Sequence, residues 1–166
     1  PPGAEGLPAE LDEDSVAART FRSPAPVAEA AMTNGWHTAE IPAANGHGNA
    51  RSVVRAQTPV ANGGKAFGVE LLSPQVAARA LELQIEGDDL VLGVPSRFGM
   101  GYGLSLPDFP VGPNPNTGFW GGWGGSTIVV DQDARLCCSY VMNKMQPGVL
   151  GDPRGFGILQ AAYASF

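Results

Sequence analysis

Gly118-Phe119-Trp120-Gly121-Gly122-Trp123-Gly124-Gly125 is the stretch whose reading decides the fold. A glycine-rich loop that cradles a dinucleotide needs a strand before it and a helix N-terminus after it. Here Ser126–Val130 follows, a run containing Thr, Ile and Val that reads as β. No Lys follows a suitable glycine run, so a P-loop is excluded too. What remains is a tight β corner carrying two tryptophans, which either pack it or flank a ligand. Glycines let a ligand approach strand backbone closely, and a free N–H there can stabilise an oxyanion.

Working outward, Thr117–Gly122 reads as a short strand leading into the corner. Ser126–Val130 and Leu136–Asn143 read as a hairpin joined by Asp131-Gln132-Asp133-Ala134, with both aspartates as turn formers. Phe98–Leu106, with glycines at 99, 101 and 103, is expected to be one strand pressed against another backbone. Upstream, Asn49 is an N-cap for a helix with Ala50, Val53, Val54, Val60 and Ala61 on one face. Pro59 should bend or interrupt that helix, and Asn62-Gly63-Gly64 should close it. Ser73-Pro74 opens a second helix, with Val76, Ala77, Ala80 and Leu81 inside. The tail from Pro153 to Phe166 is a third, with Phe156, Leu159 and Tyr163 on one face. Residues 1–40 are expected to be mostly loop, punctuated by Pro1, Pro2, Pro8, Pro24 and Pro26, with room for a short helix over Val27–Met32. Helices, sequential strands and a last helix make an α+β fold, an antiparallel sheet flanked by helices.

Composition narrows the function. Among 166 residues the formal net charge is −6, and Lys occurs only at Lys65 and Lys144. Nucleic-acid binding needs clustered Lys and Arg, so it is disfavoured. No apolar run approaches the about 20 residues of a membrane helix, and no signal pattern is visible; a cytoplasmic location is the default expectation. Cys137 and Cys138 are adjacent, so on a strand they point to opposite faces and read as small core residues. No metal site and no cofactor are implied. His37 and His47 are the only histidines, and no G-x-S-x-G elbow exists, so no catalytic triad can be assembled.

The ordered set His47-Gly48-Asn49-Ala50-Arg51-Ser52, Asn62-Gly63-Gly64, Leu72-Ser73-Pro74, Arg97-Phe98-Gly99-Met100-Gly101, Trp120–Ser126 and Tyr140-Val141-Met142-Asn143 resembles the serine β-lactamase-related family. That family includes class C β-lactamases, family VIII carboxylesterases and D-aminopeptidases. The resemblance runs from about residue 40 onward. It implies three motifs around a site: S-x-x-K with the nucleophile, Y-x-N, and K-T-G, which is often W-G-G in esterases. Trp120-Gly121-Gly122 matches the third. No Ser here has a Lys three positions on, and no Tyr has an Asn two positions on. The chain is therefore expected to be the C-terminal part of a single β-lactamase-like domain. Nucleophile and base would lie in polypeptide N-terminal to it, and this part alone would be inactive.

The resemblance also implies roles. The Trp123 backbone N–H would complete the oxyanion hole of a serine acyl-enzyme. Trp120, Gly121, Gly122 and Trp123 would line the substrate site, with His47 near the cleft mouth. Where β-lactamases offer a Lys to a substrate carboxylate, Trp120 offers an apolar face and one N–H donor. The expected substrate is thus a neutral small-molecule ester, hydrolysed by a carboxylesterase. The alternatives are a β-lactamase, a D-aminopeptidase-type amidase acting on amides, and a non-catalytic relative that binds ligand in the same cleft.

Overall fold

The computed structural model describes residues 12–23, 27–148 and 150–165. The acidic, proline-rich start as far as Leu11, and Pro24 and Pro26, lie outside them. In chain order the helices are α1 (Val16–Phe21), a 3-10 turn (Ala28–Met32), α2 (Asn34–Thr38), α3 (Ala50–Ala61), α4 (Pro74–Arg79) and α5 (Pro153–Tyr163). The strands are β1 (Lys65–Ala66), β2 (Val69–Glu70), β3 (Ile85–Asp88), β4 (Pro95–Phe98), β5 (Gly103–Leu104), β6 (Thr117–Gly121), β7 (Thr127–Asp131) and β8 (Leu136–Tyr140). β1 and β2 form a small ribbon, while β3 to β8 form one antiparallel meander in sequence order. The α+β architecture and its closing helix are those expected.

Helices cover both faces of the sheet. Register places Gly118, Val130 and Cys137 side by side, and next to them Trp120, Ile128 and Ser139. This face meets α3. Val130 is fully buried against Val60 and Ala61, with Leu72, Ala80, Tyr102, Ile128 and Cys137 packed around them. The Cys137 thiol points at the Val54 carbonyl, 3.6 Å away, and burial pushes it up to about 11. Both cysteines are free thiols. The opposite face meets α5, where Gly155 lies against Tyr140 and Thr127.

Local signals explain the helix starts. Asn49 accepts from the Ser52 N–H and Ser52 Oγ accepts from the Asn49 N–H, both at 2.9 Å, a reciprocal cap. Ser73 accepts from the Val76 N–H with Pro74 in the first turn.

Three expectations need correction. Phe98–Leu106 is not one strand: β4 and β5 are separated by a turn in which the Gly99 N–H donates to Tyr102 O at 2.8 Å and Gly101 has φ +81°. A left-handed residue there reverses the chain, which an unbroken strand could not tolerate. Pro59 does not stop α3, which runs on to Ala61. Its missing N–H releases one carbonyl only, and the Asn62 N–H then closes onto Thr58 O and Pro59 O. Val76 is not inside but 49% exposed; α4 has six residues, so its buried stripe narrows to Ala77. The short helix allowed for over Val27–Met32 is the 3-10 turn at Ala28–Met32, and two further short helices, α1 and α2, are capped by the Ser15 and Thr33 side chains.

Candidate active site

β6 ends at Gly121, and the chain then turns through Gly122–Ser126 into β7. The turn is pinned on both sides of Trp123. Gly122 N–H donates to Ser126 O at 3.1 Å, and Gly125 N–H to Gly122 O at 3.0 Å. Gly124 N–H donates to Gly148 O at 3.1 Å, and Gly124 O accepts from Gln146 N–H at 2.9 Å. Between these committed amides, the Trp123 N–H has no acceptor among the described residues. A donor in that state is what an oxyanion hole requires. Trp120 sits on the α3 side of the sheet, 38% exposed, its ring tilted against Phe98 with centroids 5.5 Å apart.

Trp120, Gly121, Gly122 and Trp123 are thus together at one end of β6. His47 is placed differently, with its ring edge-on to His37 at 4.8 Å. No ring contact or hydrogen bond among the described residues joins His47 to the corner. Two surface depressions also lie elsewhere. One of about 340 Å³ is lined by Asn62, Gly63, Pro74, Gln132 and Arg135 at the far end of the sheet, and one of about 570 Å³ runs along α1.

Sequence reasoning missed two polar groups. Asp131 is fully buried, accepting from Tyr163 OH at 2.7 Å, Asn114 Nδ2 at 2.8 Å and Ala134 N–H at 2.8 Å. Burial opposes its charge, but these hydrogen bonds prevail and hold its carboxyl below the usual range. The same burial and the Asp131 charge push the Tyr163 phenol up. Asp152, 4% exposed, caps α5 by accepting from the Arg154 and Gly155 N–H groups. It also pairs with the Arg154 guanidinium, which holds its carboxyl below the usual range against the effect of burial. Asp152-Pro153 was readable as an N-cap followed by Pro at the first helical position. No local pattern marks Asp131 as more than a turn residue.

A family model described as Beta-lactamase matches residues 6–163. The chain belongs to the beta-lactamase family. Within that family, the esterase/beta-lactamase LipL of Mycobacterium tuberculosis (strain ATCC 25618 / H37Rv) is 35% identical over 122 residues, 71% of this chain and 27% of LipL. The crystal structure of a family VIII carboxylesterase superposes with TM-score 0.83 at 35% identity, covering 88% of this chain and 39% of that one. A penicillin-binding protein homolog from Caulobacter crescentus gives TM-score 0.75 at 36% identity, over 81% and 36%. EstA from Arthrobacter nitroguajacolicus Rue61a shares the fold, with TM-score 0.77 at 20% identity over 98% and 44%. The chain therefore spans between 27% and 44% of the length of these beta-lactamase-like relatives.

Among the described residues no helix is long and apolar enough to cross a membrane, and no three His, Cys, Asp or Glu side chains gather to hold a metal.

Proposed function

We propose that this chain is the C-terminal part of a cytoplasmic serine hydrolase that acts through an acyl-enzyme, a carboxylesterase on neutral small-molecule esters. The observation that carries the reading is the Trp123 N–H, which has no acceptor among the described residues and follows the exposed Trp120 and the half-buried Gly121-Gly122. In this reading the nucleophilic serine and its base come from the remaining polypeptide of the same protein. That polypeptide would also form the wall of the cleft facing the strand end. The serine adds to the ester carbonyl, and the oxygen that gains negative charge is held by the Trp123 N–H and the amide of the serine itself. The alcohol leaves, and water then releases the acid. Trp120 presents an apolar ring and one N–H donor to the acyl group and no positive charge, which favours neutral acids over carboxylate-bearing lactams. His47 is kept as a residue of the cleft mouth. Two relatives support the esterase branch, one an esterase/beta-lactamase and one a family VIII carboxylesterase.

The test is the complete protein. Its reading frame is expected to carry S-x-x-K and Y-x-N ahead of Trp120, and the protein to hydrolyse p-nitrophenyl butyrate faster than nitrocefin. A fluorophosphonate probe should label the serine. A full-length sequence without either motif, or a protein that neither labels nor hydrolyses, overturns the reading.

A further inference from the structure

Two residues at the N-terminal end of α5, the cap Asp152 and Arg154, lie against the turn that carries Trp123 and the segment paired with it. The Asp152 carboxylate lies directly over Gly125: a Cβ at Gly125 would fall 2.0 Å from Asp152 Oδ2, and Gly125 has φ +114°, so only glycine fits. Arg154 acts on the other side. Its guanidinium pairs with Asp152, donates from Nη1 to Lys144 O at 3.0 Å and lies 5.7 Å from the Tyr140 ring centroid. The chain after Lys144 is the partner of Gly124, through the Gln146 N–H to Gly124 O and the Gly124 N–H to Gly148 O. Asp152 therefore bears on Gly125, and Arg154 on the segment that pairs with Gly124. These are the two residues that follow Trp123.

We infer that Asp152 and Arg154 are positioning residues for the Trp123 N–H, acting through the Gly124-Gly125 turn and not on substrate. The inference rests on the proposed hydrolase. It predicts that breaking the pair loosens the corner locally. A donor that wanders meets the developing oxyanion poorly, while ground-state binding of a neutral ester is little affected.

The experiment uses the full-length protein as wild type, Asp152→Asn, Arg154→Lys and Arg154→Met. Three quantities are read: amide hydrogen exchange by peptide, kcat and KM on p-nitrophenyl butyrate, and melting temperature. Asp152→Asn and Arg154→Met are expected to speed exchange in the peptide holding Gly122–Ser126 while β7 and β8 stay protected. In both, kcat should fall on the order of 10- to 100-fold with KM nearly unchanged. Arg154→Lys keeps the charge and should recover part of kcat. Unchanged exchange at the corner, exchange that rises equally throughout the sheet, or a wild-type kcat in both disrupted variants overturns the inference while leaving the hydrolase reading intact. A wild-type protein that hydrolyses no ester, yet loosens at the corner on Asp152→Asn, sinks the hydrolase reading and leaves the bracing of the Trp123 turn standing.

Discussion

At the scale of single residues, backbone and side chain at Trp123 make separable predictions. In the complete protein, Trp123→Pro removes the N–H and should lower kcat by at least about 100-fold, whereas Trp123→Phe keeps it and should lose far less. Steady-state kinetics on both variants check this, and equal losses would show the donor to be misassigned. Asp131 makes a prediction about pH. Its carboxyl is held below the ordinary range in the folded chain, so its contribution to stability is complete above the unfolded value of about 3.9 and is lost as pH falls through the lower folded value. Urea midpoints should hold steady down to about pH 5 and drop on the acid side. In Asp131→Asn the midpoint should be lower at pH 7 and the acid drop shallower. Tyr163→Phe removes one hydrogen bond to this buried charge and should cost about 2 kcal/mol by urea titration at pH 7.

At the scale of elements, α3 is the helix that positions the sheet from the Trp120 side. Its N-terminus is fixed by the reciprocal Asn49–Ser52 cap, and its C-terminal turn is tied to the sheet by Gln132, which donates to Val60 O at 3.2 Å and to Ala77 O at 2.7 Å. Asn49→Ala should cost about 1 kcal/mol, read as a lowered urea midpoint with an unchanged slope. The caps of α3 and α4 were legible because an N-cap is a local event, set by one side chain and an amide two or three residues on. The break between β4 and β5 was not legible. A glycine in a strand and a glycine at a reversal look alike until the pairing partner is known, and the partner of β5 is β6. Gln57 carries no local signal of a distant partner. The structure has it accept a hydrogen bond from Tyr102, a contact between residues far apart in the chain.

At the scale of the whole molecule, several large apolar residues are exposed along the ribbon and in and just after β3. Phe67, Val69 and Leu71 are 57 to 61% exposed, and Ile85 and Leu90 65% and 72%. Surface of this kind binds hydrophobic dyes unless something covers it. The 166-residue chain alone is expected to bind ANS and melt over a broad range, and the full-length protein to do neither. A sharp cooperative melt of the isolated chain without ANS binding would contradict this. The proposed preference for neutral esters makes a prediction about charge at the strand end. Trp120→Lys in the full-length protein should raise kcat/KM for an ester whose acid carries a carboxylate, relative to its neutral counterpart.

The sequence by itself determined the family, the α+β class, the starts of α3, α4 and α5 and the Trp120-Gly121-Gly122 strand end. Each of these is written in residues a few positions apart, where turns, caps and alternation act. Only the tertiary structure decided that Asp131 is a buried acceptor as well as a turn former, and that Asp152 and Arg154 brace the turn after Trp123. Both depend on α5 packing back onto β6 to β8, and such contacts join residues whose separation along the chain leaves no local trace. The physical reason is that a carboxylate's role is set by which donors surround it, and those donors are assembled by packing.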